Sequence, residues 1–295
     1  MRTRVPIVIA ALLAALMVAG CGGGGGGGGT ERFDLALDFY VNPDHAGIYT
    51  ALDRGYFADA GLDVVAVAAL VNGPLTSLIS LPESGIRSPA DLAGKTVVTA
   101  GIPYQAAYLE TILERTGVDP ASVDQVDVGF NLMQPLISGR ADAMFGGFLN
   151  VEGVDLAERG LDPRVVPVDR LGVPTYDELV LVADGERLAS DPEPIREFIA
   201  ALERGTYAAA RDPQAATDAI VAAGNGLDPD LTRAEVDKTV PRLLPPGDMP
   251  YGWTDRERWQ RFADYLYDAG QLDSRPHASE LSTNDLLPKA RAGGG

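Results

Sequence analysis

"SPADLAGKTVVTAG", residues 88–101, decides how the chain folds. Ser88 is placed to cap a short helix, Gly94-Lys95 to turn, and Thr96 to Ala100 to form a buried strand, because its apolar residues run together without alternation. After the turn "GIPY", apolar residues return at helical spacing through Ala107, Leu109, Ile112 and Leu113. Strand, tight turn and helix in that order form the repeating unit of a parallel sheet covered by helices. The unit recurs downstream as a strand at "VDQVDVGF", a helix at "NLMQPLISGR", a strand at "ADAMFGG" and a helix at "VEGVDLAERG". The pattern predicts one doubly wound α/β lobe over residues 83–178.

Upstream, residues 35–41 ("LALDFYV") read as a strand, and Ile48, Leu52 and Phe57 as one face of a helix. Between them lies "NPDHAG", so His45, one of only two histidines, falls at a strand-to-helix turn. Such turns at the carboxyl ends of parallel strands are where α/β proteins take ligands, since helix N-termini and free N–H groups converge there. A capping role for Asn42 or Asp44 explains the same polar break. Downstream, "YDELVLVAD" reads as a strand leaving the lobe, after which the pattern is mainly helical. Trp259, Phe262, Tyr265 and Leu266 share one helical face, a spacing that signals core packing. His277 belongs to a surface tail. Residues 33–82 and 179–288 are together assigned to a first, discontinuous lobe, and residues 289–295 to a mobile tail.

The first twenty residues have the build of a secretory signal peptide: "MRTR" is a positive start and "VPIVIAALLAALMVAG" an apolar stretch ending in small residues. Val18-Ala19-Gly20-Cys21 then resembles a lipobox, which implies that Cys21, the single cysteine, carries a lipid. Gly22 to Gly29 follow; with no side chains to bury, they predict a tether spanning residues 21–32. An exported domain anchored to the outer face of the cytoplasmic membrane, or in the periplasm, is the expectation. The formal charge is −18, and −20 once Arg2 and Arg4 leave with residues 1–20. That acidity argues against nucleic acid as a partner. One cysteine permits neither an internal disulfide nor a thiolate zinc site.

The segments "LDFYVNPDHAGIYTALDRGYFADAGLDV", "PLTSLISLPESGIRSPADLAGKTV", "VGFNLMQPLISGRADAMFGGFLNVEG", "GVPTYDELVLVAD" and "YGWTDRERWQRFADYLYDAG" together resemble the substrate-binding proteins of ABC importers. Within these, the chain resembles the branch that binds pyrimidine precursors of thiamine, such as hydroxymethyl- or formylamino-pyrimidines. The resemblance implies a type II periplasmic-binding-protein fold: two doubly wound lobes, joined by a two-strand hinge, closing on one ligand. It implies a monomer that delivers its ligand to ABC permease subunits. Carried onto this chain, it places Asp38, Phe39, Asn42 and His45 on the first-lobe side of the cleft, Tyr104 and Phe148 on the second, and Tyr176 and Glu178 at the hinge.

The residue chemistry suits a flat aminopyrimidine. Phe39, Tyr104 and Tyr176 supply planes, Glu178 accepts from an exocyclic amine, Asn42 donates and accepts, and His45 does either according to tautomer. Ordinary packing of the two tyrosines and a solvated Glu178 are the plain alternatives. One departure stands out. "GLDVVAVAALV" joins the first strand directly to what resembles the last strand of the lobe, and parallel neighbours need a crossover of about a dozen residues or more. The first lobe is thus expected to be shortened by a unit on the order of 30 residues.

Other readings have to meet the same residues. A related synthase would need a lysine beside its cofactor, whereas lysine occurs only at 95, 238 and 289, none near "NPDHAG". With no Ser-His-Asp spacing, phosphate loop or metal motif, the chain is expected to be no enzyme and to hold no cofactor. A sulfonate-binding protein would hold its anion with cationic groups, and the cleft segments contain none. A receptor whose activity left with the missing segment is the third alternative.

Overall fold

The computed structural model describes residues 31–33, 62–64, 71–181, 183 and 185–289. Two short strands, β1 (Glu31–Phe33) and β2 (Leu62–Val64), pair in parallel, Glu31 opposite Leu62 and Phe33 opposite Val64. β1 thereby takes in Glu31 and Arg32, which composition had assigned to the tether. Five further strands make the main sheet: β3 (Thr76–Ser80), β4 (Thr96–Thr99), β5 (Asp124–Asp127), β6 (Ala143–Phe148) and β7 (Arg164–Pro167). Their order across the sheet is β5-β4-β6-β3-β7. β4 runs parallel to β5 and β6, while β3 is antiparallel to both β6 and β7.

The central strand is built as expected. Val97 and Val98 of β4 are buried on opposite faces, one against Leu109 and Ile112, the other against Leu132 and Leu136. β5 is an edge strand, exposed throughout, and its sequence "DQVD" carries the charges that protect an open edge. α1 (Pro103–Arg115) starts with proline at its first position, where a missing N–H costs nothing, and Gly117, at φ 73°, turns the chain out of its end. α2 (Met133–Ile137) and α3 (Glu152–Glu158) complete the lobe. The Ser88 cap takes an inverted form. Asp91 Oδ2 accepts from the backbone N–H groups of Arg87 and Ser88 and from the Ser88 hydroxyl.

The lobe boundary differs from residue 83. β3 lies between β6 and β7, so the chain enters this sheet at Thr76. The second crossing runs beside the first: Val71 N donates to Leu179 O at 3.1 Å, and Glu178 N to Val71 O at 3.0 Å. Among the described residues this single bridge is all the strand character that residues 176–181 show, in place of the strand expected at "YDELVLVAD".

The remainder is helical: α4 (Gly185–Ser190), α5 (Glu193–Arg211), α6 (Pro213–Ala223), α7 (Pro229–Leu243), α8 (Arg256–Asp268) and α9 (Ala278–Leu281). Ile195, Phe198, Ile199 and Leu202 of α5 pack with Ile220, Val236 and Val240 around Leu75 and Leu179. α8 goes elsewhere. Phe262, Tyr265 and Leu266 pack against the α1 core, and the Tyr265 hydroxyl lies 2.9 Å from Thr111 Oγ1. That helix, assigned by sequence with residues 179–288 to the first lobe, belongs by packing with the second. Its apolar stripe shows that it is covered, not by what.

Candidate functional site

β4, β5 and β6 end at the same edge of the sheet, and antiparallel β3 begins there, with Thr76 opposite Phe148. At this edge two glycines leave room for the side chains of Asp127 and Gln105. At Gly101, φ 70°, a Cβ would stand 2.3 Å from Asp127 Oδ2; at Gly146, φ 100°, it would stand 2.2 Å from Gln105 Nε2. Gln105 is buried, and its Oε1 accepts the Ala100 N–H at 2.9 Å. The amide is thereby oriented with its NH2 toward β6.

Tyr104 lies in the first turn of α1 rather than in the preceding loop. Its ring is 5.0 Å from that of Tyr108, which is 5.8 Å from that of Tyr176, which stacks on Phe262 at 4.5 Å. Burial pushes the Tyr104 hydroxyl above its usual range, and the charge of Glu178 adds to the effect. Tyr176 is only 7% exposed, so its hydroxyl rather than its ring face is the part directed into polar surroundings.

Glu178 clasps the two crossing segments. Its Oε2 accepts from Leu75 N at 2.7 Å, Thr76 N at 2.8 Å and Tyr176 Oη at 3.1 Å, and its Oε1 from Thr76 Oγ1 at 3.0 Å. Burial raises this carboxyl above the ordinary glutamate range, opposed by these donors. A carboxylate offers about four lone-pair positions. Oε2 is saturated, and Oε1, with one donor, can accept another.

Two residues here escaped the sequence. Glu152 follows β6 at the first position of α3, and its Oε2 accepts the Phe148 N–H at 2.7 Å. Burial raises it as well. The signal was an acidic residue just after a glycine-rich strand end, "GGFLNVE", which reads equally as an ordinary helix start. Asp177 pairs with Arg258 Nη2 at 2.6 Å and accepts from Trp259 Nε1 at 2.8 Å, fastening α8 to the crossing. Burial raises Asp177 too, against the pull of Trp259 and Arg258.

Of the residues singled out from sequence, Tyr104, Phe148, Tyr176 and Glu178 thus converge on one end of the sheet, linked through Tyr108 and Thr76. Asp38, Phe39, Asn42, His45 and Cys21 lie outside the described residues. The assembled edge offers aromatic surface and two buried carboxyls, with the Gln105 amide held beneath them. It can hold a flat, uncharged molecule bearing N–H donors.

A family model described as "NMT1/THI5 like" matches residues 42–65 and 62–216. Its two pieces meet at Leu62 to Val65, where the shortening was expected. A formylaminopyrimidine-binding protein of Halalkalibacterium halodurans is 31% identical over 296 residues, covering 85% of this chain and 88% of that protein. Since 85% of 295 residues is about 251, roughly 45 of the 296 aligned positions have no counterpart here. A 4-amino-5-hydroxymethyl-2-methylpyrimidine phosphate synthase of Legionella pneumophila is 23% identical, covering 87% of this chain and 92% of that enzyme. The periplasmic aliphatic sulphonate-binding protein SsuA of Escherichia coli superimposes with a TM-score of 0.64 at 12% identity, over 90% of this chain and 94% of that one. The fold is that of periplasmic binding proteins, and by sequence the chain belongs to the NMT1/THI5-like family.

Proposed function

We propose that this protein is an extracytoplasmic solute-binding lipoprotein of an ABC importer, and that it binds a pyrimidine precursor of thiamine and hands it to a permease. The observation that carries the reading is the pair of buried carboxyls, Glu152 and Glu178, set among aromatic residues at the carboxyl ends of β4 and β6. Buried acceptors of this kind suit an aminopyrimidine, whose exocyclic amine donates and whose face stacks. In this reading Tyr104 and Phe148 supply surface, and Oε1 of Glu178 and the Glu152 carboxyl take N–H groups. Tyr176 holds Glu178 in place, while Asp38, Phe39, Asn42 and His45 close from the other lobe. The name of the 31% identical relative supports the same ligand class.

A sulfonate ligand fits less well, although SsuA shares the fold, because two buried carboxyls repel an anion. Synthase chemistry, named for the Legionella relative, finds no lysine among the partners of Glu152 and Glu178; Lys238, on α7, lines a cavity with Leu149, Gly153 and Pro167. Lys95 sits at the start of β4, at the opposite end of the sheet, 3.0 Å from Asp142. Lipid anchoring at Cys21 completes the proposal and is checked by Cys21→Ser, which should abolish lipid incorporation; retained incorporation removes the anchor from the reading. Calorimetric titration with formylaminopyrimidine, hydroxymethylpyrimidine and an alkanesulfonate tests the ligand. Binding of the sulfonate alone would overturn the assignment.

A further inference from the structure

At the end of the sheet away from the ligand edge, β3 finishes at Ser80, opposite Arg164, the first residue of β7. Four strand residues separate this end from Thr76, about 14 Å at 3.4 Å per residue. A cavity of about 210 Å³ opens here, and Arg87, Arg164 and Arg170 line it together with Ser80 and Ser88. They come from three places in the chain: the turn before β4, the start of β7 and the short helix that follows β7. No carboxylate lines the cavity.

The cavity stands in a chain with 42 acidic residues against 24 basic ones. Elsewhere among the described residues, Arg159, Arg196, Arg233, Arg258 and Arg275 each pair with an aspartate or glutamate, while Arg115, Arg211 and Arg256 show no ion pair; what sets Arg87, Arg164 and Arg170 apart is that three exposed arginines share one cavity. None of the three cavity arginines makes an ion pair or a side-chain hydrogen bond. Asp91, four residues from Arg87, feels its charge but is occupied by backbone N–H groups and the Ser88 hydroxyl. Three like charges against this one neighbouring carboxylate repel one another, and an anion supplied from outside relieves that repulsion.

We propose that this cavity is a binding site for a tetrahedral oxyanion, inorganic phosphate or the phosphate group of a monoester. Guanidinium groups offer the planar, forked donors that match phosphate oxygens. The volume lies below the roughly 300 Å³ at which sites for organic ligands begin, so the occupant is a small ion or the head of a larger molecule. The pyrimidine edge lies at the other end of β3, and the two sites are independent.

Calorimetry and thermal unfolding of the full chain, in sodium phosphate against sodium chloride at equal ionic strength, test the site. Phosphate should bind and raise the melting temperature. Arg164→Gln and Arg170→Gln should each weaken phosphate binding about fivefold, the equivalent of an exposed charge pair. Arg87→Gln, on a separate element, repeats the test should either substitution disturb β7. Arg233→Gln, on α7, should leave phosphate binding unchanged, and aminopyrimidine binding should survive every cavity substitution. Glycerol phosphate as competitor distinguishes the sources: displacement at equal or lower concentration points to a monoester or lipid headgroup, and failure to displace points to the free ion. Equal stabilisation by phosphate of the wild type and an Arg164→Gln/Arg170→Gln double variant would overturn the site, as would the absence of phosphate binding above the chloride control.

Discussion

Glu178 is a ligand candidate that also holds the crossing together, so its substitution reports on stability before it reports on binding. In Glu178→Ala the Leu75 and Thr76 N–H groups and the Tyr176 and Thr76 hydroxyls lose their acceptor. The hydroxyls can turn to other partners; the two N–H groups cannot. At about 1–3 kcal/mol for each unsatisfied donor, reduced because the site is only partly enclosed, the loss should be about 3 kcal/mol. For a chain of this size that corresponds to a fall of about 6–12 °C in melting temperature. Glu178→Gln keeps one carbonyl oxygen for the two N–H groups and should lose less than half as much. Because burial raises this carboxyl, the folded protein binds its proton more tightly than the unfolded chain does. Its contribution to stability is therefore fullest below the ordinary glutamate pKa and falls as pH rises through the raised value. Urea unfolding of the wild type and Glu178→Gln across pH 4 to 8 isolates this slope, since the other carboxyls are common to both. An Ala variant within about 0.5 kcal/mol of the wild type would refute the clasp. So would a Gln variant as unstable as Ala, or parallel pH profiles.

Gly146→Ala should force Gln105 out of place, since its Cβ would stand 2.2 Å from Nε2 at a backbone φ of 100°. A loss of about 2 kcal/mol or more follows from overpacking and strain, and unchanged unfolding by urea would contradict it. Asp177→Ala removes the partner of a largely buried Arg258 and should destabilise by about 3 kcal/mol, with faster amide exchange across residues 256–268; exchange there as slow as in the wild type would show that α8 is held otherwise. Glu152→Gln should weaken aminopyrimidine binding about tenfold, as loss of one charged acceptor would. Full affinity in calorimetry would remove Glu152 from the site.

Much of this was legible in the chain itself. The uninterrupted apolar run of β4 and the proline and glycine that bracket α1 are local signals, determined within a dozen residues by backbone sterics and hydrophobic spacing. So were the alternating strands and helices from residue 96 to residue 158, whereas Tyr104, Phe148, Tyr176 and Glu178 were grouped as site candidates only through the resemblance to a family. What local pattern could not supply was partnership. β3, "TSLIS", is polar at three of its five positions, yet Thr76, Ser77 and Ser80 are buried because β6 and β7 flank the strand and the backbone is paired on both sides. α8 advertises an apolar stripe, but only tertiary packing assigns it to Tyr108 and fastens it through Asp177. Glu178 and the arginine cavity acquire their character from groups far away in sequence, 102 residues in the case of Thr76 and Glu178. Burial and electrostatic surroundings are properties of that assembled geometry. The sequence determined most of the elements that form, and tertiary structure decided which charges are buried, which are paired and which share a cavity.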